Sequence, residues 1–231
     1  MLTPFPTASP LTKFAQEEYG HLPDLTVVGL DRGIEMVTHY HHVERHLGAI
    51  LDKADEIESD GNCDALIIGC FGDPGLVAVR QVTSMPVLGT GEASFAAASM
   101  LGGKLGVVVP QTDLVYVTEK MIHTYQLSDR VVAVRSVEED VPDAVVSKPE
   151  EFTEKMSDLC LRAIRDDDAD VIIFGCIGFS WMVKQVREIL NKNGFSTPVI
   201  EPGVTVYQAA KMVAELGLNQ DRRKLAVTSS S

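Results

Sequence analysis

The chain has 231 residues, 45% of them hydrophobic, with 33 acidic against 20 basic side chains and a formal charge of −13. That balance, with no basic patch, excludes a nucleic-acid or anionic-membrane surface, and no apolar stretch approaches the roughly 20 residues that cross a bilayer. Four scattered cysteines with no CxxC pair exclude a disulfide scaffold, and the opening MLTPFPTASP lacks the basic-then-apolar order of a secretion signal, so reduced thiols and a cytoplasmic location are expected.

The first residues read as the stub of a strand, a Pro-rich loop over Thr3-Pro4-Phe5-Pro6-Thr7-Ala8-Ser9, and then a helix. LTVVGL at 25–30 is a strand, and apolar positions at helical spacing run from about His41 to Asp60. The apolar run ending at Cys70 is a buried strand, followed by an Asp-Pro helix start at Asp73-Pro74, the strand MPVLGT and an Ala-rich helix closed by Gly102 and Gly103. A second series follows the same order: strand 105–110, helix 112–126, strand VVAVRSV, a polar connector, helix 150–166 and a strand ending at Cys176. Helix FSWMVKQVREILNKNG, strand TPVIE and a last helix complete the chain.

The two cysteine strands are copies of one segment. CDALIIGCFG at 63–72 aligns with ADVIIFGCIG at 169–178 through Asp64 and Asp170, Gly69 and Gly175, Cys70 and Cys176, and Gly72 and Gly178. The duplication continues where MPVLGTGEASFAAASMLGG aligns with TPVIEPGVTVYQAAKMVAELG through Pro86 and Pro198, Gly91 and Gly203. Strands alternating with helices predict an α/β fold of two pseudo-symmetric lobes, each with a mainly parallel sheet. The expected division is 1–103 for the first lobe, completed by 199–218, then 104–198 for the second and 219–231 as a tail. The last strand and helix are expected to return to the first lobe.

Each repeated cysteine stands at a strand's carboxyl end, the edge where open α/β sheets bind ligands, so the duplication predicts two thiols facing one small molecule across a cleft between the lobes. A single strand-end cysteine is usually a buried packing residue. Two at equivalent positions, each in a Gly-Cys-x-Gly turn, point instead to catalysis, because such turns expose side chains at the ligand edge. A disulfide between them is a third reading, disfavoured in a reducing compartment. Inverting a stereocentre by proton transfer needs a base on one face of a carbon and an acid on the other, and a turn at a helix N-terminus is expected to lower a thiol's pKa enough for one thiolate and one thiol to coexist. The backbone N–H groups of Phe71, Gly72, Ile177 and Gly178 are candidate donors to the enolate oxygen of such a substrate. Cys63, before its strand, and Cys160, inside a helical pattern, read as small buried or half-buried hydrophobes.

IIGCFGDPGL followed by PVLGTGEASFAAASMLG, with IIFGCIG as the second motif, resembles the aspartate/glutamate racemase superfamily and most closely its hydantoin racemase branch, which includes allantoin racemases. The resemblance covers most of 60–110 and 168–212. It implies two flavodoxin-like lobes, a cofactor-independent isomerase holding no metal, a small-molecule substrate, a homo-oligomer, and proton removal and return by Cys70 and Cys176 on opposite faces of a carbon beside a carbonyl. Where family members carry an Asn-Pro-Asn-Ser/Thr loop after a full first strand, this chain has the Thr3–Ser9 segment after almost no strand, with Thr7 its candidate substrate contact. The family's Thr-rich loop becomes Pro110-Gln111-Thr112, so a substrate hydroxyl contact is either lost or moved to Thr112, the candidate substrate contact there. Phe179 replaces a run of small residues and methionine and, with Trp181, implies a bulkier or more apolar substrate pocket. Two alternatives stand beside racemisation: a maleate-type cis-trans isomerase with a nucleophilic cysteine, and a two-lobed protein that binds a small ligand without chemistry.

Other clusters carry less. His39, His41, His42 and His46 lack an HExxH arrangement and read as a solvated helix face or a subunit contact. Asp166-Asp167-Asp168 reads as a helix-end charge run. Glu92 suits either a group near the cleft or a helix N-terminal dipole partner, and Gly89-x-Gly91 a tight turn rather than a dinucleotide fingerprint.

Overall fold

A computed structural model describes residues 1–33, 40–137 and 149–221. Among them, residues 1–33, 41–93 and 203–221 form one compact unit, and 40, 94–137 and 149–202 form a second.

The first unit is built on strands β1 (Leu2–Pro6), β2 (Val28–Leu30), β3 (Leu66–Ile68) and β4 (Val87–Gly89), in the order β2-β1-β3-β4. The second uses β5 (Leu105–Val109), β6 (Val131–Ser136), β7 (Val171–Phe174) and β8 (Val199–Ile200), in the order β6-β5-β7-β8. Both sheets are parallel throughout. The two orders are the same when the strands are counted within each repeat, so the duplication read from the cysteine segments extends to the topology. In each sheet the order reverses between the first and third strands, the switch point where doubly wound sheets receive their ligands.

Helices cover the sheets. They are α1 (Pro10–Tyr19), α2 (Tyr40–Asp60), α3 (Leu76–Val82), α4 (Thr90–Ser99), α5 (Asp113–Thr124), α6 (Pro149–Arg165), α7 (Val183–Lys192) and α8 (Pro202–Glu215), with a 3₁₀ helix over Ile177–Met182. Strands covered on both faces must be apolar at every position, which is why LII, LGVVV and VIIF are continuous runs and are buried along their whole length. The first unit packs Leu2, Leu30, Ile50, Ala54, Leu66, Ile68 and Val79 into its core, and the second packs Phe152, Met156, Cys160, Phe174, Phe179 and Val186. No helix among the described residues is long and apolar enough to cross a membrane.

Two expectations need correction. The segment read as a loop after almost no strand contains β1, a five-residue strand at the centre of its sheet. Its prolines are tolerated because of where their missing donors fall. Val28 N–H donates to Met1 O and Thr7 N–H to Leu30 O, so odd-numbered backbone groups face β2, whereas Leu2 O accepts from Gly69 on the β3 side. Pro4 and Pro6 share the parity of Leu2, and the β1–β3 ladder is cut to the single pair Leu2↔Ile68, while pairing with β2 persists to Pro6↔Leu30. The second correction concerns the end of the chain. Strand β8 stays in the second sheet, paired with β7 through Ile172↔Val199 and Ile173↔Ile200, and from Gly203 onward the helix that follows it groups with the first unit.

Candidate active site

Both repeated cysteines stand one residue beyond the glycine that follows a third strand. In the first unit, Gly69 N–H donates to Leu2 O at 2.7 Å, and in the second Gly175 N–H donates to Val108 O at 2.7 Å. The turns that follow share a second bond: Asp73 N–H reaches Cys70 O at 3.0 Å and Phe179 N–H reaches Cys176 O at 3.3 Å. Two segments 106 residues apart in the sequence thus fold into the same hydrogen-bonded turn, each presenting a half-buried cysteine at the carboxyl end of its sheet. Thr7 follows β1, the neighbour of β3, and Thr112 follows β5, the neighbour of β7, so each unit places one cysteine and one threonine at its switch point. Both threonines are exposed. Thr7 Oγ1 donates to Leu30 O, and Thr112 Oγ1 lies 3.2 Å from Ser136 Oγ at the end of β6.

Beyond that shared frame the turns diverge. Cys176 caps the 3₁₀ helix, its Sγ accepting from Gly178 N–H at 3.4 Å. Burial raises the Cys176 thiol to about 11 against the opposing pull of that bond. Desolvation outweighs that one backbone donor, so the turn does not lower this thiol and Cys176 is the neutral member of the pair near pH 7. Gly178 N–H, expected to face a substrate oxygen, is directed at the sulfur.

The residue after Gly178 also departs from expectation. Phe179 is fully buried between Phe152, 5.6 Å away by ring centroids, and Phe174, 5.7 Å away, so it fills the core rather than lining a pocket. Its equivalent in the first repeat is Asp73, whose carboxylate accepts from Gly91 N–H at 2.9 Å and Glu92 N–H at 2.8 Å. Asp73 does not start α3, as the Asp-Pro pair suggested. That helix opens after Gly75 in the left-handed region, and the carboxylate caps α4 instead. Thr90 Oγ1 joins it by donating to Ile68 O at 2.5 Å, the carbonyl that also accepts from Cys70 N–H at 2.9 Å. Sequence reasoning missed Asp73 and Thr90. The available signal was the repeat itself, in which Asp73 and Gly89 change together to Phe179 and Glu201.

The remaining candidates take varied places in the fold. Phe71 and Ile177 are buried, and Gly72 and Gly178 half-buried. Glu92 pairs with Arg80, whose Nη2 approaches Oε2 at 2.5 Å. Asp167 pairs with Arg135 at 2.5 Å and Asp168 with Lys104. His46 is buried rather than solvated, its Nδ1 2.6 Å from His42 O and its ring edge-on to Phe5, and His39 lies outside the described residues. Among the described residues no group of three or more His, Cys, Asp or Glu side chains could hold a metal. Cys160 is buried in α6 as expected, with its thiol pushed up to about 12, while Cys63 is exposed on its loop rather than buried.

The profile of the Asp/Glu/Hydantoin racemase family matches residues 13–210. The chain belongs to that family. A hydantoin racemase of Pseudomonas sp. (strain NS671) is 28% identical over 200 residues, covering 87% of this chain and 78% of that protein. Allantoin racemase from Pseudomonas fluorescens superimposes with a TM-score of 0.87 at 22% identity, covering 100% of this chain and 97% of the other. Allantoin racemase from Klebsiella pneumoniae does so with a TM-score of 0.82 at 21% identity, covering 95% and 88%. These structural likenesses establish the fold. With the family match and the hydantoin racemase relatives, the chain is an isomerase of the racemase type.

Proposed function

We propose that this racemase inverts the stereocentre of a 5-substituted hydantoin or a related ureide, with Cys70 and Cys176 as a two-base pair. The observation that carries the proposal is the duplicated turn: two chemically equivalent thiols, each at the switch point of its own sheet, held by the same pair of backbone hydrogen bonds. A pseudo-symmetric chain supplies the matched acid and base that inversion requires. The likeness to hydantoin racemases supports the choice of substrate class.

In this reading Cys176 is the resting acid, since burial keeps its thiol protonated. Cys70 as thiolate takes the proton from the carbon beside the carbonyl, the electron pair moves onto the carbonyl oxygen, and Cys176 returns a proton to the opposite face. The sulfurs have then exchanged protonation states, and the reverse reaction uses them in exchanged roles. Gly178 N–H, already directed at Cys176 Sγ, stabilises that thiolate once it forms. The backbone N–H groups at Phe71, Gly72 and Ile177 are the proposed donors to the enolate oxygen, and Thr7 and Thr112 the proposed hydroxyl contacts.

The test is circular dichroism of enantiopure hydantoins, allantoin, aspartate and glutamate incubated in D₂O, with mass spectrometry of the recovered material against enzyme-free blanks. Signal decay with one deuterium at the hydantoin or allantoin stereocentre is the expected result, together with its loss in both Cys70→Ser and Cys176→Ser. Exchange confined to the amino acids would overturn the substrate class. Full activity in either serine variant would overturn the two-base pair.

A further inference from the structure

The turn that holds Cys70 carries three costs that its twin does not. Asp73 adopts φ 48, the left-handed region that a non-glycine residue occupies at a penalty. The residue as a whole is only 9% exposed, a position where a charge is tolerated only when hydrogen-bonded. To make room for its carboxylate, β4 ends in Gly89, where a Cβ would fall 2.6 Å from Asp73 Cγ. Only glycine fits under the carboxylate without displacing it.

The second repeat serves as an internal control. There Phe179 N–H makes the same bond to Cys176 O with an apolar side chain in the core, no positive φ at that residue and Glu201 in place of Gly89. Making the turn therefore requires none of the three features. What they add is a connection. The Asp73 carboxylate fastens the turn to the first N–H groups of α4, while Thr90, the first residue of that helix, holds Ile68 O. Ile68 O in turn accepts from Cys70 N–H, and Cys70 O accepts from Asp73 N–H. The backbone on both sides of the sulfur is tied to one helix terminus.

We infer that Asp73 is a positioning residue for Cys70, its carboxylate bound to Gly91 and Glu92 and cradled by Gly89 so that the thiol is held in its proton-transfer geometry. The inference rests on the proposed role of Cys70. Charge-assisted bonds from two backbone donors hold a carboxylate more firmly than neutral contacts do, and proton transfer is steeply sensitive to placement.

Two variants reach the same link from opposite sides. Asp73→Asn puts an amide where two N–H groups need acceptors, and Gly89→Ala leaves the aspartate intact but pushes its carboxylate away. Both are expected to lower kcat about 10- to 100-fold, as misplacement by about an ångström does. KM should move by less than about threefold, because the lost interaction acts on proton transfer rather than on ground-state binding. Alkylation of the native proteins by iodoacetamide, read by peptide mass spectrometry, supplies a readout that general loosening does not reproduce. The Cys70 rate should change by about fivefold or more while the Cys176 rate holds, since reactivity follows local environment. Equal acceleration at both cysteines, with kcat falling only as the folded fraction falls, would show a merely structural role and overturn the inference. So would unchanged kcat and unchanged Cys70 alkylation in both variants while Cys70→Ser is inactive. If Cys70→Ser itself remains active, the proposed function fails first, and the positioning role falls with it.

Discussion

Gly89 lies so close beneath Asp73 that a Cβ built on it would stand 2.6 Å from both Cγ and Oδ2 of the carboxylate. The pair is coupled: the glycine exists for the carboxylate, and the carboxylate holds its two N–H donors only because the glycine yields space. Gly89→Ala should cost about 1–3 kcal/mol, the penalty for leaving buried donors unsatisfied. In an Asp73→Ala background the same substitution should cost almost nothing, since there is no longer a carboxylate to displace. A double-mutant cycle by urea denaturation checks this, and additive costs in the two backgrounds would refute the coupling.

Cys176 gives stability and activity a common pH signature. Its thiol is raised to about 11 in the folded protein from an ordinary value of 9.0, so the folded state holds the proton more tightly than the unfolded one. That contribution is complete below pH 9, declines as the unfolded chain releases its proton, and is lost as pH passes about 11. Cys160, raised to about 12, adds the same sign over a wider window. Denaturation across pH 8–11 should therefore show a steeper loss in the wild type than in Cys176→Ser, the difference isolating Cys176. In the reaction direction where Cys176 donates, kcat/KM should stay flat on its account until pH approaches 11. Parallel stability slopes in the two proteins would remove Cys176 as the source.

Phe179 tests packing against binding. Because its ring is fully buried between Phe152 and Phe174, Phe179→Ala should destabilise the protein by about 3–5 kcal/mol through lost transfer energy and a cavity. Phe179→Leu should cost far less and leave KM near that of the wild type. A selective KM change in the leucine variant, at unchanged stability, would return Phe179 to the pocket wall.

These residues also mark how far the sequence could be read. The parallel strands were legible because burial on both faces forces continuous apolar runs, and the cysteine turns because duplication repeats the residues that shape them. Strand β1 was not, since Pro4 and Pro6 argue against a central strand unless one knows that the missing donors fall where the neighbouring ladder has already ended. Asp73 and Phe179 occupy equivalent positions yet go to a helix terminus and to a core, because each side chain's destination is set by partners far along the chain: Gly91 and Glu92 for one, Phe152 for the other. Nor does sequence weigh burial against a helix-end donor, the contest that decides the Cys176 thiol.

Gln220 predicts how the first sheet guards its outer edge. Its side-chain amide donates to Val87 O at 3.0 Å and accepts from Val87 N–H at 3.0 Å, completing both hydrogen bonds of an edge residue as a further strand would. Asn219 Nδ2 bonds Ser84 O at 2.5 Å just before that strand, and Arg80 Nε reaches Val87 O from the other side at 2.9 Å. Gln220→Ala leaves Val87 O with Arg80 but strips its N–H of this acceptor, exposing a donor on β4 that another chain's backbone can take. The expected cost is about 1–2 kcal/mol, near that of one or two net hydrogen bonds. Light scattering at mild denaturant concentration should rise faster in the variant than in the wild type. Gln220→Glu keeps the acceptor for Val87 N–H and should aggregate less than the alanine variant. Equal scattering from all three proteins would show that β4 needs no such guard.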